Sequence, residues 1–295
     1  MQYETIGLDR VEIAATGFRG AEGVVVDREG AVYAGGSDGV IRKLTPDGRM
    51  RDVARVAHRP LGIALDRLGN LFVCDGGGAG VLRLGVDGSA EVFADRVDGV
   101  SLVATNFAVF DAAGNLYVSN STDYPLSDDE RFMAELREPV PNGALVRLRP
   151  DGRGDVVARG LYFPNGVAID PREEAVYVLQ STKRNCLRIP IRGDGSHGPA
   201  EIFVDDFGGL PDGNAFAADG NMIVALPMND RLVVADRHGR VAPLVEDPEG
   251  AKIAMPSNCA FGGVGFDELY VTSLKGDHIA RVNLGRRGHR LFHQR

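Results

Sequence analysis

Apolar and polar positions along this chain alternate in short runs, and almost none of them carry helical spacing. In FPNGVAID (163–170), Val167 and Ile169 stand between smaller or polar neighbours, as in a half-buried strand. Five further stretches follow the same plan: GAEGVVVDREGAVYAG from Gly20, RPLGIALDRLGNLFVC from Arg59, ATNFAVFDAAGNLYVS from Ala104, LPDGNAFAADGNMIVA from Leu210 and MPSNCAFGGVGFDELYVT from Met255. Each is an apolar strand, a turn rich in Asp, Gly and Asn, and a second apolar strand. Those turn residues tolerate the positive φ of a tight hairpin. More strands follow in every unit, often around a PDG-like turn, as in VIRKLTPDGRMRDVARV and ALVRLRPDGRGDVVARG. A unit therefore holds about four antiparallel strands.

Six such units, spaced by 39, 45, 59, 47 and 45 residues, predict an all-β fold. A lone four-stranded sheet cannot bury both faces, whereas radial stacking lets each sheet cover the next. The expected architecture is a six-bladed β-propeller with four antiparallel strands per blade, one domain over residues 1–295. Length alone would suggest about two domains; the repeat overrides it. DRVEIAATGF (9–18) resembles the outer-strand segments and is expected to close the last blade, with the C-terminal HRLFHQR competing for that place. The third unit is about fourteen residues longer than its neighbours, through an insertion at 121–143. Within it, SDDERFMAELRE carries a Ser cap, then acids, then Phe132, Met133 and Leu136 at helical spacing. It reads as a short helix in a lid-like loop, with Tyr124, Phe132 or Met133 turned inward over a ligand.

Composition narrows the partners. Net charge is −8 and charges of both signs are interspersed, which does not recommend nucleic acid or an anionic membrane. The arginines at 281, 286, 287, 290 and 295 read as a solvated outer strand and tail. The three cysteines show no CxxC spacing, so neither a disulfide framework nor a zinc finger is expected; Cys74 and Cys259 fall in apolar runs and read as core. No secretory signal or membrane-length apolar run is evident, so the expected location is cytoplasmic. Ser37 in GGSDG lies between two strands, the wrong context for a nucleophile elbow. His58 precedes the second unit and reads as a surface-loop residue, the alternative being a place at a channel mouth.

The informative position is the first one after the inter-blade turn: Glu22, Leu61, Asn106, Asn165, Asp212 and Ser257 in the six units. In a propeller this point starts the innermost strand at one end of the central channel, so these side chains converge. Asn and Asp at a strand start commonly cap turns. Four in register suggest more, because carboxylates brought together in a confined space need a countercharge. All four donors are oxygens. That set favours Ca²⁺, with Mg²⁺, Mn²⁺ or Zn²⁺ as alternatives.

The ordered motifs AEG, TN, FPNG, LPDG and PSNCAFGG…LYVTS resemble those of the senescence-marker protein/gluconolactonase family of six-bladed propellers, over essentially the whole chain. The resemblance implies one divalent metal held by Glu22, Asn165 and Asp212, with Asn106 as the fourth ligand. It implies hydrolysis of a sugar lactone, and a general-base role for Asp212. GLYFPNGVAIDPREEAVYVLQSTKRNCLRIPI is also similar to the strictosidine-synthase-like branch. Phe107 replaces an Asp that many members carry, and Ala104 replaces a substrate-binding Arg of animal members; both changes point to a less hydroxylated substrate. Phe107, Tyr124, Phe132, Met133 and Ser257 are the expected substrate contacts. The expected reaction opens a small lactone to a hydroxy acid. Its rivals are an aryl esterase or phosphotriesterase on the same metal, and a non-enzymatic NHL-like binding propeller.

Overall fold

A computed structural model of the chain describes residues 4–295. Its described residues form six four-stranded antiparallel sheets around a common axis, the propeller read from the repeats. Blade 1 runs Val24–Val26, Val32–Gly35, Val40–Leu44 and Met50–Arg55, and blade 2 runs Pro60–Leu65, Leu71–Asp75, Gly80–Leu84 and Ala90–Ala94. Blade 3 opens with Thr105–Phe110, blade 4 with Pro164–Ile169 and blade 5 with Asn214–Phe216. Blade 6 takes three strands from Pro256–Gly262, Glu268–Ser273 and His278–Asn283. Its outer strand is Val11–Thr16, paired antiparallel with His278–Asn283. The segment at 9–18 therefore closes the ring.

The C-terminal segment does something else. It crosses the end of the channel opposite the inter-blade turns. There the His289 N–H donates to the Phe216 carbonyl, Gln294 Nε2 donates to the Val26 carbonyl at 2.6 Å, and the Phe292 ring lies 5.4 Å from that of Phe110. Arg286 pairs with Asp219 at 3.1 Å, so this end is fastened rather than merely solvated.

Burial follows position in the blade. Pro60–Leu65 and Leu71–Asp75 are buried throughout, whereas the outer strand Met50–Arg55 is mostly exposed. Apolar faces of adjacent blades close on each other: Leu61, Ala64, Phe72 and Cys74 of blade 2 pack with Ala108, Leu116 and Val118 of blade 3. Cys74 and Cys259 are core residues, as read from the sequence, and Cys186 is buried with them. Asn120 is buried and accepts the Ala104 N–H at 2.9 Å. No helix among the described residues is long and apolar enough to cross a membrane.

At the axis the ladders are irregular by design of the sequence. Pairing is interrupted between Pro60 and Ile63, Thr105 and Ala108, Pro164 and Val167, and Pro256 and Asn258. A bulge re-aims the side chain it contains, and these contain Leu61, Asn106, Asn165 and Ser257. In blades 1 and 5 the inner strand begins later, at Val24 and Asn214, so Glu22 and Asp212 sit on the approach to it. Adjacent blades meet tightly here. The Gly166 N–H donates to the Asp212 carbonyl at 2.8 Å, and a β-carbon at Gly166 would lie 2.5 Å from that oxygen.

The insertion holds one helix, Asp129–Arg137. Its cap is Asp128, whose carboxylate accepts the Arg131 N–H at 3.2 Å, and not Ser127 as the sequence suggests. The shift is of one residue, because either oxygen-bearing side chain can serve a helix start and here the Asp faces the free N–H.

Candidate active site

One cavity of about 440 Å³ opens at the turn end of the channel. Glu22, Asn106, Asn165 and Asp212 all line it, each from a different blade. Hydroxyls between blades fix their backbones. Thr272 Oγ1 donates to the Glu22 carbonyl at 2.6 Å, and Ser119 Oγ donates to the Asn165 carbonyl at 2.7 Å. Ser181 Oγ accepts from Asn165 Nδ2 at 3.3 Å and donates to the Pro211 carbonyl at 2.6 Å, next to Asp212.

This donor set fits a hard cation. Asn165 Oδ1 is buried and has no hydrogen-bond partner, which is costly unless something accepts its lone pairs. Burial raises the pKa of Glu22 above its ordinary value, with Arg59 drawing it back. Asp212 is raised well above its ordinary value, first by burial and then by the charge of Glu22, against hydrogen bonding from Asn165 and the charge of Arg59. Two carboxylates that resist ionising together are what a divalent ion would relieve. No cluster of three or more His, Cys, Asp and Glu suited to a metal occurs among the described residues; half of this set is carboxamide.

Of the expected substrate contacts, only Phe132 lines the cavity, its ring 5.3 Å from that of Phe163. Phe107 instead lines a smaller apolar cavity of about 60 Å³ along the axis, closed below by the C-terminal segment. Asn106 and Phe107 share the bulge between Thr105 and Ala108, which aims Asn106 into the upper cavity and Phe107 along the axis. Tyr124 is buried in the insertion, where its hydroxyl donates to Glu135 Oε2 at 2.7 Å. Met133 follows Phe132 on the helix and is therefore turned outward, 47% exposed. Ser257 is buried, and its hydroxyl donates to the backbone carbonyls of Ala21 and Glu22, at 3.1 and 3.3 Å. Ala104 is fully buried.

Among the other lining residues, Arg59, Leu126, Phe163 and Leu274 were not singled out by the sequence, and His58, read there as a surface-loop residue, belongs to the cavity instead. Arg59 Nη2 lies 3.1 Å from Glu22 Oε2, so one carboxylate already has a basic neighbour, yet the cavity stays open. Arg59 stands two residues before the blade-2 channel position Leu61, the place that Ala104 holds one blade later; that register was the signal. His58 also lines the cavity, and so do Leu61, Leu126, Phe163 and Leu274, which make the walls apolar. Phe163 has φ 47°, a left-handed backbone that costs a non-glycine residue on the order of 1 kcal/mol or more and recurs at functional sites.

The model of a family described as SMP-30/Gluconolactonase/LRE-like region matches residues 21–275. The chain belongs to this family. Its relatives include strictosidine synthase-like proteins and gluconolactonases. It is 29% identical over 206 residues to the protein strictosidine synthase-like 6 of Arabidopsis thaliana, a match covering 67% of this chain but only 53% of that protein. It is 26% identical over 298 residues to the gluconolactonase of Zymomonas mobilis, covering 92% of this chain and 80% of the relative. Among solved structures, regucalcin of Agrobacterium tumefaciens, described as a calcium-binding protein, superposes with a TM-score of 0.74 at 16% identity, over 95% of this chain and 94% of the other. That likeness is one of fold.

Proposed function

We propose that this family member is a metal-dependent hydrolase that opens a small lactone to a hydroxy acid. The observation that carries the reading is the convergence of four oxygen donors, Glu22, Asn106, Asn165 and Asp212, on one cavity, with Asn165 Oδ1 unpartnered. The gluconolactonase relative supports lactone chemistry, and the calcium in the description of regucalcin supports Ca²⁺. A bound cation would polarise the substrate carbonyl and stabilise charge developing on its oxygen. Asp212 would hold the attacking water, and the role of proton acceptor that the resemblance gives it is weakened by its place among the ligands. Phe132, Phe163, Leu126 and Leu274 would exclude bulk water and favour a substrate with few hydroxyls. The helix of the insertion would act as part of a lid.

The test is a panel of sugar and alkyl lactones assayed before and after EDTA treatment, with Ca²⁺ added back. Hydrolysis should vanish on chelation and return with calcium, and Asp212→Ala should remove it without unfolding the ring. Turnover that persists in metal-free protein would refute the proposal. The apolar walls also favour a second reading, hydrolysis of aryl esters or phosphotriesters at the same site. The same panel, extended to those substrates, separates the two.

A further inference from the structure

His58 is held as a proton acceptor is held. Its Nδ1 lies 3.0 and 3.2 Å from the two carboxylate oxygens of Asp75, which is fully buried. Asp75 is fixed in turn by the Gly77 N–H, which donates to Oδ1 at 2.7 Å. The ring rests on Gly77 itself: a β-carbon there would collide with it. Sequence places these groups in register, since His58 precedes the first strand of blade 2 and Asp75 ends the second. A carboxylate facing Nδ1 selects the Nδ1–H tautomer and leaves a lone pair on Nε2. That edge is turned away from Asp75 and has no protein partner among the described residues. The imidazole is half-exposed and lines the same cavity as the four oxygen donors.

We propose that His58, oriented by Asp75, is the proton-transfer residue of this site. The inference rests on the hydrolase reading above and names the group that reading lacks, because a carboxylate serving as a metal ligand is a poor base. In the first step a water oxygen bonds to the lactone carbonyl carbon. Its proton passes to His58 Nε2 while the carbonyl π pair moves onto oxygen. In the second step that pair returns, the bond from the acyl carbon to the ring oxygen breaks, and the ring oxygen takes the proton back from Nε2. The product is a hydroxy acid, and His58 ends neutral. Asp75 remains a positioning residue. Besides Asp75, the charged groups around the ring are Arg59 next to it in the chain, Glu22 and Asp212 on the cavity floor, and Asp129 on the facing helix.

The decisive experiment compares wild type, His58→Gln and Asp75→Asn. It measures lactone kinetics against pH, calcium affinity by calorimetry, and the imidazole ¹⁵N resonances. His58→Gln should lower kcat by at least about a hundredfold and abolish the acid limb of kcat/KM, while calcium affinity stays within about twofold of wild type. Asp75→Asn should lower kcat less and displace the limb. Wild type should show the Nδ1–H tautomer. A His58→Gln enzyme within about threefold of wild-type kcat with its acid limb intact would overturn the assignment, and so would an Nε2–H tautomer. A wild type that opens no lactone would sink the hydrolase reading. The assignment of His58 would fall with it, whereas a lactone-opening wild type beside an unimpaired His58→Gln enzyme overturns the assignment alone.

Discussion

Substituting Gly166 by alanine tests whether the blades meet at the axis as closely as the structure has them. The added β-carbon would stand 2.5 Å from the Asp212 carbonyl oxygen and 2.9 Å from both Asn214 Oδ1 and Leu179 Cδ1. The first of these is backbone and cannot rotate away. Relief requires the start of the blade-4 inner strand to withdraw from blade 5, which breaks the 2.8 Å bond from the Gly166 N–H to the Asp212 carbonyl. Overpacking of this kind costs about 1–3 kcal/mol. Leaving the buried N–H and carbonyl unmatched costs about 1–3 kcal/mol more. The sum, about 2–6 kcal/mol, corresponds to a fall in Tm of about 4–12 °C for a chain of this size. Calorimetric unfolding reads this directly. Gly193→Ala is the control, since a β-carbon there meets nothing within 4 Å. The same displacement separates Asn165 from Asp212, so at the proposed cation site calcium affinity should fall with Tm. A Gly166→Ala protein with wild-type Tm and wild-type calcium affinity would refute the packing argument and the shared-site argument together.

Two further predictions concern the frame around the site. Asp247 is fully buried and accepts the N–H groups of Ala251, Lys252 and Ile253; burial pushes its pKa up, but those bonds and the Lys252 charge outweigh it and hold it below the ordinary value. A depressed carboxylate stabilises the fold above its unfolded pKa of about 4 and loses that contribution as pH falls through the lower folded value. Asp247→Ala should therefore cost about 3 kcal/mol at pH 7 and much less near pH 2, a difference that denaturant titrations at the two pH values would expose. Tyr124→Phe leaves the buried Glu135 Oε2 with only Asn142 Nδ2, at 3.4 Å. It should raise amide exchange across 121–143 by about 1–3 kcal/mol of lost protection with little change in global unfolding. Unaltered exchange there would show that the insertion is not tied down by this bond.

The ring could be read from sequence because its signal is repeated: an apolar pair of strands around an Asp/Gly/Asn turn appears six times, and each copy supports the others. The convergence of Glu22, Asn106, Asn165 and Asp212 on one cavity was readable for the same reason, since they occupy one register. Apart from Leu61, the site's remaining residues lie outside that register. Arg59 and His58 lie upstream of the blade-2 channel position, and Asp75 closes the following strand, so only the folded blade brings the pair to the cavity. Phe107 was expected there because it follows the channel Asn106, Tyr124 and Met133 because they lie in the insertion, and Ser257 because it holds the same register in the sixth unit. The bulge between Thr105 and Ala108 sends Phe107 down the axis, helix geometry turns Met133 outward, and Tyr124 and Ser257 have their hydroxyls committed to Glu135 and to the Ala21 and Glu22 carbonyls. Which hydroxyl bonds which carbonyl is a matter of tertiary distance, and no local pattern carries it.

Val11 pairs with Val282 and Thr16 with His278, so the circle is fastened by its two most separated strands. On the ribosome, at roughly 5–20 residues per second, the first of them waits about 15–50 seconds for the second to emerge. Until then blade 6 does not exist and blade 1 has one flank bare, while Val11–Thr16 offers a loose β-edge to any chain nearby. Nascent copies of this protein should for that reason engage chaperones late in synthesis, and release from them should track the emergence of His278–Asn283.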